Sequence, residues 1–320
     1  MALSNKEIYK KTIGFSLWRL LWDVITFLIL AGTTIAGFLL SNAIINNGLV
    51  GLAIGFVVGI IILVFILRYV SYSYKAGQIA MMTKGVSEGK LPDDVIGEGK
   101  KIVKERFATV AAYYVVTGAI KGIFRQIGRG ITAIGQAVGG DSGSTVGSVI
   151  AGVIDTIIAY LCDCCLGWVF YRSNEKATKA TLEGAVLFFK HGKTFLKNMG
   201  RVFGFGILSF IVIGGVFTGM FYFIFAAFPD AFTALSKEII EVGSDVPSWV
   251  SDITTLTWAC AGISGIIMWS FIHSTFVRPF VLVGVLRNYI ESGKNEKISE
   301  KDLDELDAKS AKFKKLRAEA

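Results

Sequence analysis

The chain has 320 residues, of which 53% are hydrophobic and 18% charged, and its mean hydropathy is +0.58. A soluble domain carries about a quarter charged residues, so this composition excludes an ordinary water-soluble protein and requires lipid as a second solvent. The net charge of +8 does not point to nucleic acid, because Lys and Arg gather at the ends of apolar runs rather than on one soluble module.

The first apolar run, 15–44, follows Lys6, Lys10 and Lys11. It is too long for the apolar region of a signal peptide and has no small-residue cleavage site, so it reads as a retained membrane helix. The uncharged turn Asn46-Asn47-Gly48 leads into a second run, 49–67. A basic stretch then carries Arg68, Lys75, Lys84, Lys90, Lys100, Lys101, Lys104 and Arg106. By the positive-inside rule the N-terminus and 68–106 are cytoplasmic, and the Asn-Asn-Gly turn is outside. Within 68–106 the second helix is expected to run on to 86. Gly85, Gly89 and Pro92 end it, and Asp93-Asp94 open a short helix.

The stretch 107–139 supports two placements. Its apolar run, 107–120, is short for a span. Thr117, Lys121, Arg125, Arg129, Thr132 and Gln136 then recur at helical spacing, on one face. An in-plane amphipathic helix has this pattern. However, the loop 140–144 has no Lys or Arg, and the next apolar run, 146–170, is followed by Arg172, Lys176, Lys179, Lys190, Lys193, Lys197 and Arg201. Keeping both basic stretches cytoplasmic requires an even number of crossings between them. The reading taken is that 107–139 crosses and 146–170 returns; the alternative is that 146–170 is re-entrant.

An amphipathic pattern over 174–197 predicts a cytoplasmic elbow helix. The fifth span is 202–228, ended by Pro229. The acidic loop up to Asp252 is outside and holds a short amphipathic helix. The sixth span, 253–289, should kink at Pro279. The tail alternates acid and base and reads as a solvated helix or a partly disordered segment. The predicted fold is all-α and polytopic. It has about six transmembrane helices, both termini inside and amphipathic cytoplasmic elbows. Residues 1–292 form the membrane domain and 293–320 a charged cytoplasmic tail.

Lys121, Arg125 and Arg129 are the leading candidate site. A charged residue near the bilayer centre costs ~2.5–3.5 kcal/mol, so these side chains must face water, a counter-charge or the interface. A basic stripe along an aqueous path would favour anions. Asp155, about mid-depth in its run, is the best counter-ion, with Asp23 and Asp163 the other acids. The pattern equally fits structural pairing, or a basic face resting on anionic lipid. Gly51, Gly55 and Gly59 form G-x-x-x-G-x-x-x-G, which lets a helix approach closely within or between subunits and makes a homo-oligomer plausible.

Cys162, Asp163, Cys164 and Cys165 cluster near the end of one run, but His191 and His273 are not at ligand spacing to them. These cysteines are read as packing residues or as thiols open to acylation, with no metal expected. There is no P-loop, His-Glu-x-x-His or Gly-x-Ser-x-Gly motif, so no enzyme activity and no cofactor are expected. Cys164-Cys165-Leu166, followed by Phe195-Leu196-Lys197-Asn198-Met199-Gly200-Arg201-Val202, resembles the later half of choline-transporter-like proteins over residues 164–202. This chain has fewer spans than that family, and no residue role is carried across. The expected function is a membrane channel or transporter for a small anionic or polar solute. The alternative is a non-transporting scaffold or lipid-interacting protein that recruits partners through its basic elbows. The expected location is a prokaryotic plasma membrane.

Overall fold

The computed structural model describes the backbone of residues 2–45, 47–139, 143–242 and 246–320. Side chains are described over the same residues except 49, 67, 71, 110, 127–155, 192–201, 203, 238 and 242. Among the described residues every regular element is helical. Four helices are long and apolar enough to cross a membrane: Asn5–Ile45, Val50–Glu88, Gly204–Ala226 and Ile253–Gly293. A fifth is reached only if Val95–Arg106 and Ala111–Gln126, which meet at 81°, are counted as one span.

Helices α1 (Asn5–Ile45) and α2 (Gly48–Val70) form a close hairpin. Their outer surfaces are apolar and open: Phe27 is 57% exposed, Ile44 78% and Phe65 80%. Burying one such side chain is worth ~1.5–3 kcal/mol, so a belt of them in water is untenable and lipid is its natural solvent.

At the end of α2 the burial changes character. A π-helical turn, Ser71–Lys75, leads into α3 (Ala76–Glu88), where Ala76, Met81 and Met82 are fully buried. Gly89, at φ +71°, ends α3 in the left-handed region that favours glycine. Asp94 then caps α4 (Val95–Arg106), accepting the Gly97 N–H at 2.8 Å. There follow α5 (Val110–Gly139), α6 (Gly143–Tyr171) and α7 (Ala177–Ser209). The predicted elbow and the start of the predicted fifth span are one helix in α7, because nothing stronger than isolated glycines interrupts the helical pattern.

After a π-helical turn, Phe210–Gly214, come α8 (Gly215–Ala226), α9 (Pro229–Val242) and α10 (Ile253–Ile272). Another π-helical turn, His273–Val277, precedes α11 (Arg278–Gly293). It contains Thr275, whose carbonyl Pro279 cannot serve, so the interruption predicted at Pro279 falls one turn upstream. Two short helices, α12 (Glu300–Lys309) and α13 (Ala311–Ala318), end the chain.

The chain divides into two compact units: Met1–Met199 with Leu282–Ala320, and Gly200–Val281. In the first, the core is built by α3, α6, α7 and α11, with Cys164, Cys165, Val169, Val186 and Leu286 at 0% exposure. Tyr289 donates its hydroxyl to the Gly184 carbonyl inside this core. In the second, α8 packs on α10, with Tyr222 and Trp258 stacked at 4.0 Å. There Ser209 Oγ accepts from Trp269 Nε1 at 3.1 Å and lies 2.9 Å from His273 Nδ1.

The tail differs from its sequence reading as a solvated segment. Leu306, Phe313 and Leu316 are buried with Ile123 of α5 and Leu182, Ala185 and Val186 of α7. A capping box at Ser299 and Asp302 starts α12, and Ser310 caps α13. Ile298 and Leu303 pack beside them, so a small apolar face on largely charged helices lies against α5 and α7.

Candidate functional site

The first half of α5 is anchored at the exit of α2. Tyr114 donates its hydroxyl to the carbonyl of Arg68, in the last turn of α2, and Tyr72 donates to the Phe107 carbonyl at 3.0 Å. Tyr113 is buried edge-on against Tyr72 and Phe107, with ring centroids 5.4 and 5.5 Å apart. These aromatic contacts fix where α5 begins and which face turns inward.

Helical periodicity then separates two faces. Ile120, Ile123 and Phe124 are buried, and Phe124 meets Phe188 edge-on at 5.4 Å. Lys121 and Arg125 are exposed and make no ion pair among the described residues. Between them Gly122 is buried, because the side chain of Lys312 lies over it. Gln126 Oε1 accepts from Ser310 Oγ at 2.6 Å and from the Lys312 N–H at 3.1 Å. The C-terminal helices therefore cover α5 from residue 122 to residue 126. The side chains of Arg129 and Asp155, and with them the suggested pairing of that stripe, lie outside the described residues.

The tail is also tied to α7 by charge. Lys190 Nζ lies 2.8 Å from Glu296 and 3.1 Å from Asp302. Bonds from Ser299 and the nearby Lys190 ammonium pull Asp302 down to about 2, and Lys190 likewise holds Glu296 low. Those two carboxylates raise the Lys190 ammonium above its ordinary value. Lys309 sits over the Phe189 ring, 4.6 Å from its centroid.

Gly51, Gly55 and Gly59 all face α1 within the chain. Side chains there would run into the carbonyls of Gly37 and Thr33, and into Thr33 Oγ1 and Leu30, respectively. Sequence reasoning missed the partner of Asp163: Lys75, at 2.8 Å, with the Asp163 side chain only 5% exposed. The two are far apart in sequence, and each had a nearer explanation, one as a topology charge and the other as part of a cysteine cluster.

Cys164 and Cys165 are buried packing residues, and Cys165 Sγ contacts the Thr181 carbonyl at 3.6 Å. Among the described residues no His, Cys, Asp or Glu group is arranged to hold a metal ion. A polar cleft of about 420 Å³ lies between α3, α4 and the end of α6. It is crossed by the Lys84–Glu98 pair. The Arg106 guanidinium at its edge donates to the carbonyls of Arg172, Ser173 and Glu175, and so closes the C-terminus of α6.

Comparison with protein-family models, with curated proteins and with solved structures finds no match for this chain.

Proposed function

We propose that the protein is a non-transporting membrane scaffold, held by four spans, whose helical cytoplasmic domain engages anionic lipid and partner proteins. One observation carries this reading. Among the described residues from Val70 to Val202, Val115 is the one large apolar side chain that stands exposed, whereas 17–69 and 205–280 present many. The described side chains of α3 to α6 and of the first part of α7 bury their apolar faces in one another, as those of water-soluble helices do. The four lipid-facing stretches then lie in α1, α2, the 204–226 helix and the 253–293 helix.

This four-span topology satisfies the positive-inside rule as well as the six-span one does. The basic stretches 68–106 and 172–201 share one side with both termini, and residues 107–171 need not cross at all. The docked tail supports that placement, since α12 and α13 are too charged to enter lipid and they cover residues 122–126. Lys121 and Arg125 then form the basic face of a helix at the interface rather than the wall of a pore. The glycine ridge of α2 is occupied by α1, so the scaffold reading does not require a homo-oligomer.

Ion flux separates this reading from transport through the Lys121–Arg125–Arg129 stripe. Proteoliposomes of the purified protein should be no leakier to chloride or potassium than protein-free vesicles. Anion-selective flux that falls in Arg125→Ala would contradict the scaffold reading.

A further inference from the structure

The exposed face of α5 combines three features. Its start is tied by Tyr114 to the last turn of α2, at the edge of the lipid-facing belt, where Tyr69 is 65% exposed. Tyr and Arg at this position are interfacial anchors. Val115, 67% exposed, stands on the same helix one residue on. Lys121 and Arg125 follow; Arg125 lies about 16 Å along the axis from Tyr114. An apolar beginning beside the membrane and a basic continuation are the two contacts that an interfacial helix makes with acyl chains and headgroups.

Lys312 completes the arrangement from another element. It reaches back from α13 over Gly122, and a β-carbon at 122 would stand 2.8 Å from its Nζ. The Lys312 Cδ and Cε are close by as well, so its flexible stem lies along the helix backbone at Gly122 and a methyl group there would displace it. With 3.6 residues per turn, Lys121 and Arg125 stand about 40° apart and both on one side of Gly122, so these two cations edge the notch from one side and the third, Lys312, lies in it. None of the three makes an ion pair among the described residues, although the neighbouring α12 holds five acids. Arg317 takes three of those acids, Glu300, Asp304 and Asp307, which leaves the notch without a counter-ion of its own.

We propose that Lys121, Arg125 and Lys312 bind the phosphate group of an anionic phospholipid at the notch over Gly122. The proposal rests on the scaffold reading, in which this face meets the cytoplasmic leaflet. The ligand chemistry is a phosphate oxyanion, which guanidinium and ammonium groups bind through short charge-assisted hydrogen bonds. Val115 and the interfacial tyrosines favour a lipid over free phosphate, because they give the acyl chains somewhere to lie. The site is composite: it exists only while the C-terminal helices are docked, so tail docking and lipid binding should be coupled.

The test uses the full-length protein in a neutral detergent, titrated calorimetrically with dioctanoyl phosphatidic acid, dioctanoyl phosphatidylcholine, inorganic phosphate and deca-glutamate. Phosphatidic acid should bind at least ten-fold more tightly than the other three. Lys312→Ala and the double variant Lys121→Ala/Arg125→Ala should each weaken it about ten-fold, Lys312→Arg should retain it, and Lys237→Ala should leave it unchanged. Gly122→Ala should weaken it with all three charges present, which generic charge attraction does not predict. Each variant is first matched to wild type by circular dichroism and gel filtration. Phosphatidylcholine binding equally well would reduce the effect to adsorption of tails and overturn the proposal. Inorganic phosphate binding as tightly as the lipid would overturn the lipid source, and deca-glutamate doing so would reassign the face to an acidic protein. Unaltered binding in all the variants, or none in wild type, would also overturn it. A protein that is silent in flux and indifferent to phosphatidic acid loses the notch but keeps the scaffold reading; anion flux removes both.

Discussion

A methyl group on Gly51 would overlap the carbonyl oxygen of Gly37, and one on Gly55 that of Thr33. Both obstacles are backbone, so neither can swing aside. Gly51→Ala should destabilise the α1–α2 hairpin by about 1–3 kcal/mol, the usual cost of overpacking, and lower the melting temperature in detergent. Gly32→Ala is the matched control, because its β-carbon meets nothing within 4 Å. An equal loss in both would mean that helix contact is not the cause. Asp163 poses the opposite problem, a buried charge that needs its partner. Asp163→Asn leaves the Lys75 ammonium uncompensated. The expected cost is about 3 kcal/mol, the low end for a broken buried pair, because the Lys75 side chain is 31% exposed. A double-mutant cycle with Lys75→Met should recover much of it; no recovery would show that the two act independently.

At the scale of elements, the C-terminal helices are held by a small apolar contact and by charge. Phe313 is fully buried, and Phe313→Ala should cost about 3–5 kcal/mol. That is enough to release α12 and α13 and expose their many lysines to trypsin. Unchanged digestion would mean that the charged contacts hold the tail alone. Those contacts set the pH response. Asp302 is lowered to about 2 by its Ser299 bonds and by Lys190. A depressed carboxylate contributes stability that is full above its unfolded value, about 3.9, and is lost as pH falls through the folded one. Protection factors of the α12 amides, corrected for the intrinsic exchange rate at each pH, should therefore hold from neutral pH down to about pH 4 and fall below it. Loss of protection well above about pH 4 would show that Asp302 does not set the response.

The elements also differ in how far the sequence discloses them. The runs 15–44, 49–67, 202–228 and 253–289 are readable because a lipid-facing helix must be apolar almost without interruption. Gly89 and Asp94 are readable because a helix end needs a particular residue type. The stretch 107–139 is ambiguous for a physical reason: one amphipathic pattern serves equally for a crossing beside water, an in-plane helix and a packed soluble helix. Nothing local chooses among them; the choice rests on Gln126 meeting Ser310. The tail is opaque because Leu306, Phe313 and Leu316 are outnumbered by charged residues, and the pairing of those charges with Lys190 and with Arg317 has no local signature. Lys312 carries no sequence signal at all for its place over Gly122.

In the four-span scaffold, α5, at least as far as Gln126, lies on the aqueous side that also holds the C-terminal helices. Three variants that each add one cysteine to the native four test it directly: Arg125→Cys, Lys314→Cys as the reference for the tail side, and Asn47→Cys for the opposite side. Wild type, with its four native cysteines, is the blank. A membrane-impermeant maleimide is applied to right-side-out and inside-out vesicles, and the labelling rates are compared. The account predicts that position 125 labels only in inside-out vesicles, together with 314, while 47 labels only in right-side-out ones. Protection of position 125 in both preparations, or labelling alongside 47, would place the basic face within or across the bilayer and contradict the account.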